Sequence, residues 1–241
     1  MTEIELKHSE RIKELLYSAE HAVFFGGAGV STESGIPDFR SSDGLYKDAS
    51  NEYYLSRTCL MKEPEKFFDF YRKNMVFPDA KPNKTHLALA ELEAMGVIKA
   101  VITQNIDGLH QAAGSRNVIE LHGTTSSCYC MGCKKAYPEE LINKGVGIPR
   151  CPSCGSVLRP DVTLYEESLD GFSLYSAKKH VDMSDLMIVG GTSLKVFPAA
   201  GFVEDFSGKH LIIVNLSPTP YDDKAEFVIR ASLSEFFERM L

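Results

Sequence analysis

Two pairs of cysteines restrict the possible folds of this 241-residue chain more than any other feature of its sequence. Cys130 and Cys133 form one Cys-x-x-Cys pair, and Cys151 and Cys154 form the second. Four thiolates at this spacing suit one tetrahedral Zn²⁺, and a closed shell of four sulfurs leaves no position for a substrate. We therefore predict one structural zinc ion and expect the catalytic residues elsewhere. The alternative, two disulfide bonds in a secreted protein, is disfavoured because we expect no secretory leader.

Two further cysteines need separate interpretations. Cys128 lies two residues before Cys130 and offers an alternative first zinc ligand, but the regular Cys-x-x-Cys spacing favours Cys130. We predict that Cys59 and Cys128 are free thiols that pack as small apolar side chains.

Composition and charge are those of an ordinary globular chain, with 44% hydrophobic and 24% charged residues. No apolar run approaches the roughly 20 residues that cross a bilayer, and Met1–Glu5 is acidic where a leader would be basic. We therefore expect a cytoplasmic protein without membrane contact. The net charge of -7 argues against nucleic acid as the main partner and is compatible with basic peptides. No feature argues for more than a monomer.

Short apolar runs alternate with amphipathic segments, a pattern typical of a parallel sheet covered on both faces. The predicted strands are 22–25, 97–103, 118–121, 186–189 and 211–214, and the predicted helical segments are 4–19, 53–77 and 84–95. We predict an α/β fold, with a Rossmann-like parallel sheet and a smaller inserted zinc-binding domain. The whole chain, 1–241, would be one catalytic unit. Its large domain would comprise approximately 1–35, 80–125 and 160–241, and its small domain a helical insertion, 36–79, and a zinc ribbon, 126–159.

Several predicted strands end in residues suited to binding a ligand, and such ends meet at one edge of a parallel sheet. These ends are 27–32, 104–107, Thr192 with Ser193, and Asn215. Gly27-Ala28-Gly29 would let backbone amides approach a phosphate, although a tight turn explains the same residues equally well. Thr32 occupies the third glycine position of a dehydrogenase fingerprint, and no acid follows about 20 residues later. Asp38, Phe39 and Arg40 instead indicate a lid over a charged ligand.

These motifs, taken in order with His122-Gly123 and the paired cysteines, resemble the bacterial type of the sirtuin family over roughly residues 10–240. Sirtuins are NAD-dependent protein lysine deacylases. The resemblance implies that NAD and an acyl-lysine peptide bind in a cleft between the two domains. The implied products are nicotinamide, O-acyl-ADP-ribose and free lysine.

The resemblance also implies roles for individual residues. His122 matches the general base, and an imidazole with an ordinary pKa near 6.5 suits that task. Asn105, Ile106 and Asp107 match the nicotinamide pocket, and Gln104 would face the ribose. The full set of implied NAD contacts is Ala28, Thr32, Asp38, Phe39, Arg40, Gln104, Asn105, Ile106, Asp107, His122, Thr192, Ser193, Asn215 and Ala231. We interpret the remaining histidines as structural: His8, His21, His86, His110, His180 and His210.

Two segments depart from the family pattern. Where sirtuins have Phe-Gly-Glu in the strand that pairs with the substrate backbone, this chain has Tyr165-Glu166-Glu167. The charge of Glu166 would favour basic peptides. Asn74 stands where an arginine would complete the Tyr-x-x-Arg pair that binds acidic acyl groups, so we expect neutral acyl groups, acetyl first. Arg72 or Lys73 could replace that arginine if the alignment shifts.

Two other functions fit parts of the sequence. The cysteines alone would allow a zinc-ribbon module that binds nucleic acid or protein, although the acidic net charge and the polar strand ends argue against it. A chain that binds NAD for ADP-ribosyl transfer, or as a sensor, would share the motifs. Release of O-acetyl-ADP-ribose distinguishes deacylation from these alternatives.

Overall fold

The computed structural model describes residues 3–38 and 51–241, with side chains from His8 onward in the first helix. The helices are α1 (Glu3–Ser18), α2 (Asn51–Tyr54), α3 (Arg57–Lys62), α4 (Pro64–Asn74), α5 (Lys84–Ala94), α6 (Leu109–Ala113), α7 (Glu140–Asn143), α8 (Gly171–Met183), α9 (Gly201–Glu204) and α10 (Leu233–Met240). The strands are β1 (Ala22–Gly26), β2 (Ile98–Thr103), β3 (Val118–Glu120), β4 (Gly123–Cys130), β5 (Ala136–Pro138), β6 (Leu158–Val162), β7 (Leu186–Gly190), β8 (His210–Val214) and β9 (Phe227–Ile229). Short 3-10 helices cover Ala28–Val30, Thr32–Ser34 and Asp222–Lys224.

Six parallel strands form the main sheet, in the order β3-β2-β1-β7-β8-β9. β1 pairs with β2 on one side and with β7 on the other, so the strand order reverses at the centre of the sheet. Ligands of such sheets bind beyond the carboxyl ends of the strands at this reversal. The predicted α/β fold with a Rossmann-like parallel sheet is confirmed.

Both faces of this sheet are buried, which explains why its strands are continuously apolar. Phe24 points into a core formed with α1, α5 and α10, where it contacts Phe237 edge-on at 5.6 Å between ring centroids. Phe25 points into the opposite core, which α8 and α9 cover. Helices therefore lie on both faces, as predicted. No helix within 3–38 and 51–241 is long and apolar enough to cross a membrane.

A second, three-stranded antiparallel sheet has the order β5-β4-β6. A third core lies between it and the helices α2, α3, α4 and α7, and contains Phe67, Phe68 and Tyr71. The segment 53–77 is largely helical as predicted, but it is interrupted near Ser56 and Glu63, and its last helix ends at Asn74. Pro64 is the first residue of α4, as its fixed φ favours.

Candidate active site and metal centre

The loops that follow β1 and β7 pack directly against each other. The Gly29 N–H donates to the carbonyl oxygen of Gly191 at 2.8 Å, and a Cβ on Gly29 would lie 2.8 Å from the Gly191 Cα. Gly191 has φ +61°, and a Cβ there would lie 2.6 Å from the Val30 nitrogen. These contacts require glycine whether or not a phosphate approaches the loop.

A buried polar cluster joins the ends of β1 and β2. The Ser31 hydroxyl donates to Asp107 Oδ2 at 2.7 Å and accepts from Asn105 Nδ2 at 3.1 Å. The other oxygen of Asp107 accepts the Leu109 N–H at 2.9 Å. Ser31 is fully buried, so these bonds hold the amide and the carboxylate in fixed positions. The sequence predicted that Asn105 and Asp107 belong to one site, and the structure shows that Ser31 binds both of them.

Two histidines that we interpreted as structural extend this cluster. His86 Nε2 lies 3.5 Å from the Ser31 hydroxyl, and its ring meets the ring of His110 at 4.8 Å between centroids. Burial lowers the pKa of His86 to about 4, although the Asp107 carboxylate favours its protonation. Burial also lowers the pKa of His110 to about 3. Both rings are therefore neutral at neutral pH. Since His86 is 55 positions from Ser31 in the chain, no local pattern reveals their contact.

His122 follows β3 and is oriented by the backbone of the neighbouring strand end. Its Nδ1 lies 2.8 Å from the carbonyl oxygen of Gln104. Because a carbonyl oxygen only accepts, Nδ1 carries the proton and Nε2 is the basic nitrogen of the neutral ring. Gln104 Nε2 donates to Thr192 Oγ1 at 3.1 Å, which connects the ends of β2 and β7. The structure thus brings together Gln104, His122 and Thr192 from three strand ends.

The other predicted NAD-binding residues lie around or beyond this centre. Ala28 is half-buried and Thr32 exposed in the 3-10 helices after β1. Ile106 and Asp38 are half-buried, and the Ile106 carbonyl oxygen accepts the Thr125 N–H at 2.9 Å. Phe39 and Arg40 lie outside the described residues.

The adenosine-side predictions fall at the far strand ends. Ser193 is half-buried beside Thr192. Asn215 lies after β8, where its Nδ2 donates to the carbonyl oxygen of Ser217 at 2.7 Å. Ala231 follows β9 and is 6% exposed within the core that covers one face of the main sheet. Among the residues that the structure describes, no hydrogen bond joins Ser193, Asn215 or Ala231 to the cluster around Ser31.

The four predicted zinc ligands form a compact group, with their sulfur atoms all within 4.8 Å of one another. Cys130 Sγ lies 3.4 Å from Cys154 Sγ, and Cys133 Sγ lies 3.7 Å from Cys151 Sγ. Sulfurs bound tetrahedrally to Zn²⁺ at about 2.3 Å are roughly 3.8 Å apart, whereas a disulfide requires about 2.05 Å. The group fits one structural zinc ion, and its sulfur separations are too long for disulfide bonds.

Cys128 and Cys59 do not belong to the metal group. The Cys128 thiol is 1% exposed and donates to the carbonyl oxygen of Pro138 at 3.4 Å. Burial raises the pKa of Cys128 to about 11. Cys59 is also buried, and both are free thiols as predicted.

An ion pair fixes the segment that follows β6. The Arg159 guanidinium binds both oxygens of Glu167, at 2.6 and 2.8 Å. Burial alone would raise the pKa of Glu167, but the Arg159 guanidinium and the Leu164 N–H together hold it below its usual value. Glu166, next in the chain, has φ +73°, and its carboxylate binds Thr58. Glu166 is exposed and keeps its charge while it accepts these bonds, so the preference for basic peptides stays a prediction.

The side chains of Tyr71, Arg72 and Asn74 all pack or hydrogen-bond within the protein. Tyr71 is fully buried in the core beneath the small sheet. Asn74 Nδ2 donates to the carbonyl oxygen of Phe70 in its own helix at 2.9 Å. The Arg72 guanidinium donates to the carbonyl oxygens of Ile142 and Gly147, at 2.8 and 2.7 Å. Arg72 thus holds the loop after α7 and does not replace the missing arginine.

Comparisons with known proteins agree with this geometry. The sequence model of the Sir2 family matches residues 27–198. An NAD-dependent protein deacetylase of Clostridium tetani is 51% identical over 230 residues, which are 93% of each chain. An NAD-dependent protein deacetylase of Sulfolobus acidocaldarius is 44% identical and covers 98% of this chain and 95% of its own.

Solved structures show the same similarity. A Sir2 variant with a deacetylated p53 peptide and 3′-O-acetyl ADP ribose has a TM-score of 0.89 at 41% identity, covering 95% of this chain and 96% of that chain. A complex of Sir2 with a p53 peptide and NAD⁺ has a TM-score of 0.86 at 40% identity, covering 95% of each chain.

Proposed function

This chain belongs to the Sir2 family, the sirtuins, and from that membership we propose that it is an NAD-dependent protein lysine deacetylase. It removes acetyl groups from lysine side chains and produces nicotinamide, O-acetyl-ADP-ribose and free lysine. The observation that carries this proposal is the position of His122, whose ring is fixed by the Gln104 carbonyl oxygen beside the Ser31, Asn105 and Asp107 cluster. When bound, NAD supplies the ribose carbon that accepts the acyl oxygen as nicotinamide leaves.

We assign the general base to His122. The hydrogen bond from Nδ1 to the Gln104 oxygen keeps the proton on that nitrogen, so Nε2 is ready to accept a proton from a ribose hydroxyl. The same bond limits rotation of the ring, which reduces the entropy lost on reaching the reactive geometry. A proton taken by Nε2 leaves an imidazolium that the Gln104 carbonyl dipole stabilises.

We assign the nicotinamide carboxamide to Asn105 and Asp107, with Ile106 as an apolar wall. The Ser31 hydroxyl and the Leu109 N–H fix the Asp107 carboxylate, so both polar side chains are ordered before a ligand arrives. This order lowers the entropic cost of binding. Gln104, Thr192 and the remaining strand-end residues would hold the ribose and adenosine, with Asn215 and Ala231 farthest from His122.

The substrate would be an acyl-lysine peptide or protein, with a neutral acyl group favoured because Arg72 is engaged elsewhere. We further propose that the six-stranded sheet belongs to the large domain and the three-stranded sheet to the small domain. Strand β4 begins at Gly123 and strand β6 ends at Val162, so the three-stranded sheet extends slightly beyond the expected zinc ribbon, 126–159. A cytoplasmic location, a monomeric state and the absence of nucleic acid and membrane partners stay predictions.

The test uses purified wild-type protein, an acetyl-lysine peptide and NAD, and follows peptide mass and nicotinamide together. We expect NAD-dependent loss of the acetyl group with equal nicotinamide release, and a fall of about 10²- to 10⁴-fold in kcat for His122→Ala. His210→Ala is the matched control, because His210 is the first residue of β8 and so lies at the amino ends of the parallel strands, away from their carboxyl ends. A kcat for deacetylation in His122→Ala that stays within about tenfold of the wild type would refute the assigned base. Nicotinamide release without deacetylation would favour ADP-ribosyl transfer.

A further inference from the structure

Glu166 occupies a backbone conformation that side-chain-bearing residues adopt rarely. Its φ of +73° lies in the left-handed region, where glycine is favoured and a Cβ is strained. Non-glycine residues persist there when surrounding contacts hold them. The contacts of Glu166 therefore indicate what this conformation serves.

The carboxylate of Glu166 binds the first turn of helix α3. Its Oε2 accepts the Thr58 N–H at 2.9 Å and the Thr58 hydroxyl at 2.7 Å. Ser56 accepts the N–H of Cys59, the next residue in the same turn, at 3.0 Å. A carboxylate suits this position because the first N–H groups of a helix have no partner within it and carry partial positive charge. Glu166 thus links the segment after β6 to α3.

The neighbours of Glu166 strengthen this link. The Tyr165 N–H donates to the Leu55 carbonyl oxygen at 3.1 Å, and the Arg57 N–H donates to the Tyr165 carbonyl oxygen at 3.1 Å. On the other side, Glu167 binds Arg159 with both oxygens. Residues 165–167 are therefore anchored both to the start of α3 and to β6.

This anchored segment lies beside the proposed reaction centre. The N–H of Thr163, the residue after β6, donates to the carbonyl oxygen of His122 at 2.8 Å. β6 is an edge strand of its sheet, and an edge is where an extended peptide can pair. A lysine side chain that reaches His122 brings its peptide backbone close to this edge.

We propose that Glu166 is a positioning residue, which holds residues 163–167 against α3 so that the peptide substrate meets an ordered backbone. This inference rests on the proposed deacetylase function. Order before binding lowers the entropy that docking must overcome, so Glu166 acts on peptide affinity and not on the chemical step. Its charge is used within the protein to bind Thr58.

Glu166→Gly is the sharpest test, because glycine adopts φ +73° without strain and removes the side chain that binds Thr58. We expect the KM for an acetyl-lysine peptide to rise about three- to tenfold, the size of one ordinary hydrogen bond, because the Glu166–Thr58 bonds are exposed to solvent. The kcat and the KM for NAD should stay within about twofold. Glu166→Gln keeps an accepting oxygen and should restore most of the peptide affinity.

A double variant tests whether Glu166 acts through Thr58. Thr58→Ala should raise the peptide KM less than Glu166→Gly, because the backbone N–H of Thr58 is retained. The combination should be no worse than Glu166→Gly alone, since coupled residues are not additive. An unchanged peptide KM in Glu166→Gly, or additive effects of the two changes, would overturn the proposal.

Amide hydrogen exchange without substrate separates this inference from the function on which it rests. Exchange within 163–167 should accelerate in Glu166→Gly, whichever reaction the protein catalyses. Unchanged exchange would refute the anchoring role. A wild-type protein without deacetylase activity, but with the exchange difference, would refute the proposed function and leave the anchor standing.

Discussion

Replacing Gly123 by alanine should damage the structure at the residue after His122. Gly123 begins β4, pairs with Val162 of β6 and has φ +77°. A Cβ at this position would lie 2.1 Å from the carbonyl oxygen of Asp161. That oxygen belongs to the backbone of the partner strand, so it cannot move away as a flexible side chain would.

The expected loss of stability has two parts. The left-handed backbone alone costs an alanine about 1 to 2 kcal/mol. Relief of the contact with Asp161 must separate β4 from β6 by on the order of 1 Å, and such overpacking costs about 1 to 3 kcal/mol more. The total is about 2 to 5 kcal/mol. Because the shift also moves the backbone that carries His122, deacetylase activity should fall with stability.

Gly96→Ala is a matched control, because Gly96 has nearly the same φ, +74°, but its Cβ would meet nothing within 4 Å. Its free energy of unfolding should fall only by the cost of the left-handed backbone, about 1 to 2 kcal/mol. Urea unfolding followed by circular dichroism measures both variants in a chain that contains no tryptophan. Equal losses for the two variants would refute the argument from the Asp161 contact, and so would a Gly123→Ala protein as stable as the wild type.

Two further predictions concern the metal and the buried histidines. Cys133→Ala should lose zinc and several kcal/mol of stability, as metal analysis and thermal melting would show, whereas Cys128→Ala should keep the zinc. Acid should destabilise the fold below pH 6.5, because unfolded imidazoles gain protons there while the pKa values of folded His86 and His110 lie at about 4 and about 3. For each of the two imidazoles, the free energy of unfolding should fall by about 2 kcal/mol between pH 7 and pH 5. The His110→Leu variant has one such imidazole fewer, so its free energy of unfolding should fall less over that range than that of the wild type. Equal pH dependence of the two proteins would contradict this.

Apolar runs predicted the central strands because these strands are buried on both faces. The runs 186–189 and 211–214 became β7 and β8, each within a residue or two of the predicted ends. The short strand β9 and the helix α8 gave no clear pattern. Three residues are too few for a periodicity, and α8 exposes Phe172 and Tyr175 to solvent.

Part of the candidate active site could be predicted from the sequence because some of its residues are neighbours in the chain. Gln104 to Asp107 are consecutive after one strand, so a local motif carries them. His86 and Ser31 are far apart in the chain and belong to two different local patterns, so neither pattern indicates their contact. The conformation of Glu166 was equally hidden, since its partner Thr58 is 108 positions away in helix α3.

The sequence alone determined those features that depend on residues close together in the chain. Continuous apolar runs predicted strands that are buried on both faces, and the spacing of four cysteines predicted a metal group. Pro64 predicted the start of a helix. Tertiary structure decided which distant groups meet. It placed the Gln104 carbonyl oxygen against His122, and it brought the exposed carboxylate of Glu166 to the first turn of α3. Hydrogen bonds between residues far apart in the chain depend on strand order and register, which only the assembled sheet fixes.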